Sequence, residues 1–390
     1  MAKKKLIVVW SGRFRDFDWQ RLELDNLQDF CDVIVLDLCD FLNPKHSEKY
    51  AGGSKNDGVY RIQRVGRYIS FIWNFKSEIN DDVIIISDLR SPRLKVQFCG
   101  SLLKFINGKI VWRLTGGAAV GTSSQISLFL LKRAPTVYLF LQSLLKIRFI
   151  LSRPDLVMIG SSSSEEISEM LLPKKIVRIK ASSDDYSMSL SHHEAPGSLS
   201  DEPKKVVFID QGFPAFSTDL DRFSEHRKVN ASDFYNMLNR FFFFVESSLT
   251  CGLEILSHPK HYGFDFSSQF KTRSVIHGKT IERIRVSELV IAMTSTAISY
   301  AILFDKPMIL ITSDKINQFR FLANGLKRIS HETGAEIFNI DREYTEKDLR
   351  DALVIDHAKR ESYKRKYLTS RTDDKPNYQV LLDEVINVVD

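Results

Sequence analysis

Residues 288–312 read Glu-Leu-Val-Ile-Ala-Met-Thr-Ser-Thr-Ala-Ile-Ser-Tyr-Ala-Ile-Leu-Phe-Asp-Lys-Pro-Met-Ile-Leu-Ile-Thr. This stretch predicts a buried strand at Leu289–Met293, a turn of hydroxyl residues, a short helix at Ala297–Phe304 and a second buried strand at Pro307–Ile311. Two apolar strands joined by a helix are typical of a βαβ unit whose parallel strands are buried on both faces. The stretch therefore predicts an α/β fold.

The turn inside this unit consists of Thr294, Ser295 and Thr296. A hydroxyl at this position can accept from the free N–H groups of the first helical turn, so a simple N-cap is one interpretation. The same helix end would carry unpaired donors and partial positive charge, which suit a phosphate or a carboxylate. Both interpretations, a cap and an anion site, stay open at this point.

The alternation of apolar strands and helices continues along the whole chain. Further strands are predicted at Lys5–Trp10, Asp32–Leu38, Asp82–Ser87, Lys109–Leu114, Leu156–Ile159, Lys175–Ile179, Lys205–Asp210, Leu253–Ser257, Ser274–His277 and Ala335–Ile340. Because 390 residues exceed one core of ordinary size, we predict two doubly wound, Rossmann-like domains facing a cleft. The N-terminal domain takes residues 1–195 and the C-terminal domain 196–390, with the last helices expected to cross back onto the first domain. Ala181–Pro203 is the predicted linker.

The composition is that of a globular protein, with 43% hydrophobic and 27% charged residues. Four scattered cysteines fit buried thiols in a reducing compartment better than a disulfide framework. The first residues lead directly into a strand, and no run of about 18 uncharged apolar residues occurs, so we expect no signal peptide and no membrane span. The expected location is cytoplasmic, and the net charge of +6 permits anionic ligands or membrane surfaces.

Two polar segments follow predicted strands of the second domain. Asp210-Gln211-Gly212 comes directly after the first of them, where the aspartate could act as a general base or could simply form a turn before glycine. His258-Pro259 closes another strand, since proline cannot continue a ladder, and Lys260 adds positive charge beside it. We expect these residues at the ligand edge of the sheet.

Polar and glycine residues also follow the strands of the first domain. These candidates for the acceptor side are Ser11, Gly12, Asp88, Arg90, Thr115, Gly116 and Gly117. A P-loop at Gly278-Lys279-Thr280 is rejected because Arg273 stands where the motif needs its first glycine. We assign no metal site.

Residues 125–153 form a second unusual region, because apolar residues dominate it and every charged side chain is Lys or Arg. A basic amphipathic surface of this kind can lie on anionic lipid, so we expect a peripheral membrane contact here. A buried or inter-subunit helix is the alternative interpretation.

Taken together, Asp210-Gln211-Gly212, His258-Pro259 and Ser295-Thr296 resemble the motifs of GT-B glycosyltransferases from bacterial surface-polysaccharide loci. The resemblance is to the sialyltransferase-like enzymes and the capsule Kdo transferases, and it covers about residues 204–312. Bacterial sialyltransferases carry an acidic-acidic-Gly motif, a His-Pro motif and a Ser/Thr pair. Gln211 departs from the second acidic position, and the Asp-Gln pair looks more like the strand end of capsule Kdo transferases.

The resemblance implies an inverting, metal-independent glycosyltransferase that moves a CMP-activated 2-keto sugar acid, of the sialic, nonulosonic or Kdo type, onto a surface glycan or lipid-linked glycan acceptor. It implies Asp210 as base, with His258 catalytic and donor-binding. The remaining implied donor-binding residues are Gln211, Gly212, Pro259, Lys260, Thr294, Ser295 and Thr296. No cofactor beyond the donor, and no nucleic acid, is implied, and a homodimer is left open.

Two alternatives remain. One is a GT-B enzyme that uses a UDP- or GDP-hexose, and the other is a non-catalytic nucleotide- or anion-binding assembly protein.

Overall fold

The computed structural model describes residues 3–44, 53–78, 83–91, 93–116, 153–191, 205–214, 229–258 and 267–387. The chain forms two compact units, with the changes of unit at Leu190/Ser191 and at Arg365/Lys366. The segment from Lys366 onward therefore belongs to the first unit, together with the N-terminal half of the chain.

Thirteen strands are found in these described ranges. They are β1 Lys4–Trp10, β2 Cys31–Asp37, β3 Val59–Arg61, β4 Val83–Ser87, β5 Gly108–Leu114, β6 Leu156–Ile159, β7 Val177–Lys180, β8 Val206–Ile209, β9 Leu253–Leu256, β10 Val275–Ile276, β11 Leu289–Ala292, β12 Met308–Thr312 and β13 Ile337–Asn339.

The α-helices follow the strands in the alternation that the sequence predicts. They are α1 Asp16–Arg21, α2 Leu24–Gln28, α3 Cys39–Leu42, α4 Val65–Glu78, α5 Leu94–Leu102, α6 Ser162–Leu171, α7 Asp184–Ser191, α8 Ala231–Leu249, α9 Thr280–Val286, α10 Ile298–Leu303, α11 Asp314–Asn317, α12 Arg320–Thr333, α13 Glu346–Ala352, α14 His357–Tyr363 and α15 Asn377–Leu381. Short 3₁₀ turns lie at Leu103–Phe105 and Ser267–Phe270, and π-helical turns at Lys364–Leu368 and Leu382–Ile386.

Each unit contains one parallel sheet. The first sheet has seven strands in the order β3-β2-β1-β4-β5-β6-β7, and the second has six in the order β10-β9-β8-β11-β12-β13. Central strands such as β4, β8 and β11 are buried at every position, as expected for parallel strands with helices on both faces. Two Rossmann-like, doubly wound sheets are thus present, as predicted.

The first sheet has a separate hydrophobic core on each face. One core contains Tyr68 and Ile72 of α4 together with Val96 and Cys99 of α5, so these two helices cover the same face. The opposite core holds the buried residues of α1 and α2 and five buried residues of the C-terminal segment, among them Val380 and Val385. The C-terminal segment therefore completes the apolar cover of the first sheet.

Three local features differ from the sequence predictions. The sequence between β1 and β2 predicts one helix over Asp16–Phe30, but the chain forms two helices there, α1 and α2, because Glu23 adopts a left-handed backbone with φ of 55°. The edge strand β3 has only three residues, too few to show a period in the sequence. The predicted linker is wrong in its first part, since Asp184–Ser191 is the buried helix α7.

A buried polar cluster explains why that helix did not look like a core element. Asp184 accepts from the Arg113 guanidinium at 2.7 Å, and Ser187 donates to Glu23 Oε2 at 2.8 Å. The Tyr378 backbone N–H donates to the same Glu23 oxygen at 3.0 Å. Hydrogen bonds to distant parts of the chain thus satisfy polar side chains that a local pattern would place in solvent.

We predict that Glu23 makes the protein less stable as pH rises. Burial raises the pKa of the Glu23 carboxyl, although the hydrogen bond from Ser187 and the charge of Arg113 oppose the shift. A raised carboxyl pKa means that the folded state holds the proton more tightly than the unfolded state does. The stabilisation is therefore complete at low pH and is lost as pH rises through the folded-state pKa.

Glu23→Gln removes this titration, so its unfolding free energy, measured by urea denaturation, should improve relative to wild type as pH rises from about 4, near the ordinary carboxyl pKa, to about 8. Glu336→Gln is the control, because it makes the same change at an exposed residue. A constant difference between Glu23→Gln and wild type over that range would contradict the prediction.

Candidate functional site

The carboxyl ends of β9, β8 and β11 lie side by side at one edge of the second sheet, because these strands are parallel and adjacent in that order. The chain order reverses between β8 and β11, and in open α/β sheets ligands bind in the crevice at such a reversal. The three predicted donor segments follow these three strands: Asp210-Gln211-Gly212 after β8, His258 after β9, and Thr294-Ser295-Thr296 after β11. The parallel register of the sheet therefore brings these three segments close together.

Asp210 closes the turn that follows β8. It is only 3% exposed, and its Oδ1 accepts from the Gly212 backbone N–H at 2.8 Å. Gly212 has φ of 69°, a left-handed conformation that glycine adopts without the steric cost of a side chain. The Asp210 backbone N–H donates to the Leu256 carbonyl at 3.0 Å, which fixes this turn to the end of β9.

Gln211 connects the two loops across the reversal point. Its Oε1 accepts from the Thr294 backbone N–H at 3.1 Å and lies 3.5 Å from Thr294 Oγ1. A glutamate at position 211, which has the same length as glutamine, could accept the same hydrogen bonds.

The hydroxyl turn after β11 differs in detail from the prediction. Helix α10 begins at Ile298 and has six residues, and its N-cap is Ala297, which makes no side-chain capping bond. Ser295 Oγ instead accepts from the Ala297 backbone N–H at 3.2 Å, one step before the helix. Thr294 and Ser295 are buried, whereas the Thr296 side chain is exposed. The hydroxyl groups, rather than a long helix end, are therefore the polar groups at this position.

His258 is half-buried at the end of β9. Its neighbours in the predicted motif, Pro259 and Lys260, lie outside the described residues.

The first unit brings its predicted acceptor residues together in a similar way. Ser11 Oγ donates to Asp88 Oδ2 at 2.8 Å, and the Arg90 guanidinium donates to Asp88 Oδ1 at 2.7 Å. Arg90 also donates to the Arg113 carbonyl at 2.5 Å. These contacts span the ends of β1, β4 and β5, where the chain order of the first sheet reverses. Asp88 is thus held by a hydroxyl and a guanidinium, and it is less buried than Asp210.

The glycine-rich segment after β5 is described only at its start. Thr115 is buried, and its carbonyl accepts from the Asp184 backbone N–H at 2.9 Å. Gly116 is exposed, Gly12 is half-buried after β1, and Gly117 lies outside the described residues. Close packing surrounds Thr115, since a Cβ built on Gly160 would stand 2.8 Å from the Thr115 Cα. Thr115 therefore has a packing role here, and its place on the acceptor side stays a prediction.

Two polar residues near these edges were missed by the sequence analysis. Arg13 is buried, and it donates to Asp37 at 3.0 Å and pairs with Asp40, which joins the loops after β1 and β2. Tyr235 of α8 is 3% exposed, and within the described part of the chain its hydroxyl has no hydrogen-bond partner. Burial raises the pKa of this hydroxyl, and the negative charge of Asp210 raises it further. Tyr235 belongs to an aromatic helix, so no sequence pattern separates it from core phenylalanines.

No group of three or more His, Cys, Asp or Glu residues that could hold a metal ion occurs in the described ranges.

No family model matches the sequence, and neither does any curated protein. Solved structures do match along the whole chain. The wall teichoic acid polymerase TagF has a TM-score of 0.51 at 12% identity, covering 99% of this chain and 90% of that one. A variant of TagF has a TM-score of 0.52 at 11% identity, covering 99% and 88%. The fold is of the GT-B type. The spinosyn forosaminyltransferase SpnP matches with a TM-score of 0.49 at 11% identity over 100% of both chains.

We predict that removing the Tyr235 hydroxyl does not destabilise the protein. A buried hydroxyl without a partner costs about 1–3 kcal/mol, so Tyr235→Phe should leave the unfolding free energy unchanged or raise it. Tyr68→Phe is the matched control, because Tyr68 is equally buried but its hydroxyl donates to the Cys99 carbonyl at 2.9 Å. Tyr68→Phe should lose about 1 kcal/mol. Chemical denaturation of both variants checks this, and a larger loss for Tyr235→Phe than for Tyr68→Phe would contradict it.

Proposed function

We propose that this chain is an inverting, metal-independent glycosyltransferase that moves a CMP-activated 2-keto sugar acid onto a bacterial surface glycan. The observation that carries the proposal is the meeting of the Asp210, His258 and Thr294–Thr296 segments at the reversal point of the second sheet. These are the segments whose motifs resemble the donor site of sialyltransferase-like enzymes. The GT-B fold agrees with a nucleotide-sugar donor.

In the proposed reaction, an acceptor hydroxyl attacks the anomeric carbon as CMP leaves. His258 and the hydroxyls of Thr294, Ser295 and Thr296 donate to the departing phosphate, and such oriented donors stabilise charge that develops in the transition state. Pro259 and Lys260 complete the donor side of the proposed site. Gln211 and Gly212 hold the loop geometry through the contacts with Thr294 and Asp210.

A GT-B enzyme that uses a UDP- or GDP-hexose is the second candidate, and it is comparably supported, because every donor of this kind presents a phosphate to the same edge. The non-catalytic assembly protein is the third. Which nucleotide binds, and whether a sugar is released, separates the three.

We predict that CMP binds to the second unit and that His258→Ala weakens CMP binding by about 1.5–3 kcal/mol, the range for a hydrogen bond to a charged group. Calorimetry with CMP, UDP and GDP measures this. His277→Ala is the matched control, since His277 is exposed and follows β10, the strand next to β9. Equal losses in the two variants would remove His258 from the site.

A donor-hydrolysis assay with CMP-sialic acid, CMP-Kdo, UDP-hexoses and GDP-hexoses then tests turnover. Hydrolysis of a UDP- or GDP-hexose alone favours the second candidate. CMP binding without any donor turnover, even with a glycan acceptor present, favours the assembly protein.

We further propose that Asp210 is the base, and the structure makes this a demanding test because Asp210 also forms a turn. Asp210→Asn should lower turnover by roughly two to four orders of magnitude while donor binding stays near normal. If Asp210 only shapes the turn, the change should lower thermal stability and leave turnover within a few-fold of wild type. Asp88→Asn is measured in parallel, and a turnover loss confined to Asp88→Asn would assign the base to the first unit.

A lipid-linked acceptor would place the enzyme at the inner face of the cytoplasmic membrane. The contact we expect there through residues 125–153 falls almost entirely outside the described residues, which include only Arg153 of that stretch. No helix that the structure describes is long and apolar enough to span a membrane.

A further inference from the structure

An outward face of the first unit combines exposed apolar residues with basic residues. Trp73 of α4 is 69% exposed, Leu94 of α5 is 87% exposed and Phe105, just after α5, is 57% exposed. Ile69 and Phe98 are exposed on the same two helices. Together with Lys76 they define what we call the α4–α5 face. Single exposed apolar residues are ordinary, but several on neighbouring helices mark an interaction surface.

The exposed residues follow the spacing of a helical stripe. Ile69 and Trp73 are four residues apart on α4, and Leu94 and Phe98 are four residues apart on α5, so each pair lies on one side of its helix. Tyr68 and Ile72 of α4, and Val96 and Cys99 of α5, point instead into a shared core. Both helices therefore pack against the core on the side of the sheet and still carry apolar side chains on the solvent side.

Lys76 connects the two helices at the surface. Its Nζ lies 5.8 Å from the Trp73 ring centre and 5.9 Å from the Phe105 ring centre. These distances are within the range of a cation–π contact. The two rings and the ammonium group thus form one continuous patch, in which a positive charge stands beside two aromatic side chains.

Basic residues predominate around this patch. Residues 58–77 and 89–116 hold no Asp or Glu, and Glu78, the last residue of α4, is the one acidic residue of the two helices, although the chain has 49 acidic residues in 390. Exposed basic residues in the same two segments are Arg61, Arg64, Arg67, Lys76, Arg93, Lys95 and Lys104. In a two-fold symmetric dimer through this face, a second copy of the chain would bring an identical basic surface, and like charges at an interface disfavour association.

We propose that the α4–α5 face docks on the surface of an anionic lipid membrane. Trp, Phe and Leu on one side of a helix with Lys and Arg beside them are the composition of segments that lie in the membrane interface. Aromatic rings sit at headgroup depth, and each basic residue near an anionic leaflet adds to the attraction. The residues that define this face include none of residues 125–153, and the proposal does not depend on the glycosyltransferase activity.

The test is co-sedimentation of the full chain with vesicles, measured without any sugar donor so that failure of glycosyl transfer cannot affect it. Vesicles of phosphatidylcholine with about 30 mol% phosphatidylglycerol are compared with pure phosphatidylcholine at low and high salt. Wild type should bind the anionic vesicles, and more weakly at high salt. Equal binding to both kinds of vesicle would overturn the choice of anionic lipid as the partner.

Two double variants test the face itself. Lys76→Glu/Lys104→Glu should lower the partition coefficient about 25-fold or more, because each basic residue contributes about fivefold near an anionic surface. Trp73→Ser/Phe105→Ser should lower it about tenfold or more, at both salt concentrations. The control is Phe30→Ser, since Phe30 is 53% exposed in the same unit but is flanked by Asp29 and Asp32.

The altered side chains are exposed, so the variants should keep the wild-type unfolding midpoint. Wild-type binding in both double variants would overturn the proposal and leave residues 125–153 as the membrane contact. A soluble dimer of the wild type that Trp73→Ser/Phe105→Ser dissociates would also overturn it, because the face would then belong to a second copy. Binding to an acidic protein in place of vesicles would have the same consequence.

Discussion

The parallel pairing of β8 with β11 is the constraint on which the candidate site depends. Its register sets Leu289 beside Val206 and Ile291 beside Phe208, so the two strands finish at the same level of the sheet. The polar turns that follow them therefore meet, and the hydrogen bond from the Thr294 N–H to Gln211 joins them. A slip of this register would bury the wrong residues and separate the turns, so the apolar strands that form the core also position the polar site.

Apolar runs were enough to predict every strand of both sheets except the edge strand β3, because parallel strands buried on both faces need no subtler pattern. The polar turns were predictable in position for the same reason, since they interrupt those runs. Contacts between residues that are distant in the sequence were not predictable. Glu23, Asp184 and Ser187 look like surface residues in the sequence, and only the fold supplies Arg113 and Tyr378 as their partners.

The roles within the site are harder to predict, because one residue can serve two purposes. Asp210 is the catalytic base that we propose, yet its carboxylate also closes the turn before Gly212. Recognition of the donor has a similar ambiguity. A CMP-linked sugar acid carries one phosphate and one carboxylate, whereas a UDP-hexose carries two phosphates, so both bring two negative charges. Positively charged side chains alone cannot discriminate between the two substrates. The choice must depend on the direction of the hydrogen-bond donors and on contacts with the nucleobase.

The charged residues are also distributed unevenly along the sequence. The formal net charge is +6, but residues 58–77 and 89–116 contain ten Lys and Arg residues and no acidic residue, so the rest of the chain sums to −4. A protein of evenly spread charge would approach an anionic surface in any orientation. When positive charge is concentrated in two segments, as it is in residues 58–77 and 89–116, the field favours orientations in which those segments approach the surface first. The exposed rings of Trp73 and Phe105 then lie where contact begins, and electrostatic attraction and apolar burial act through the same face.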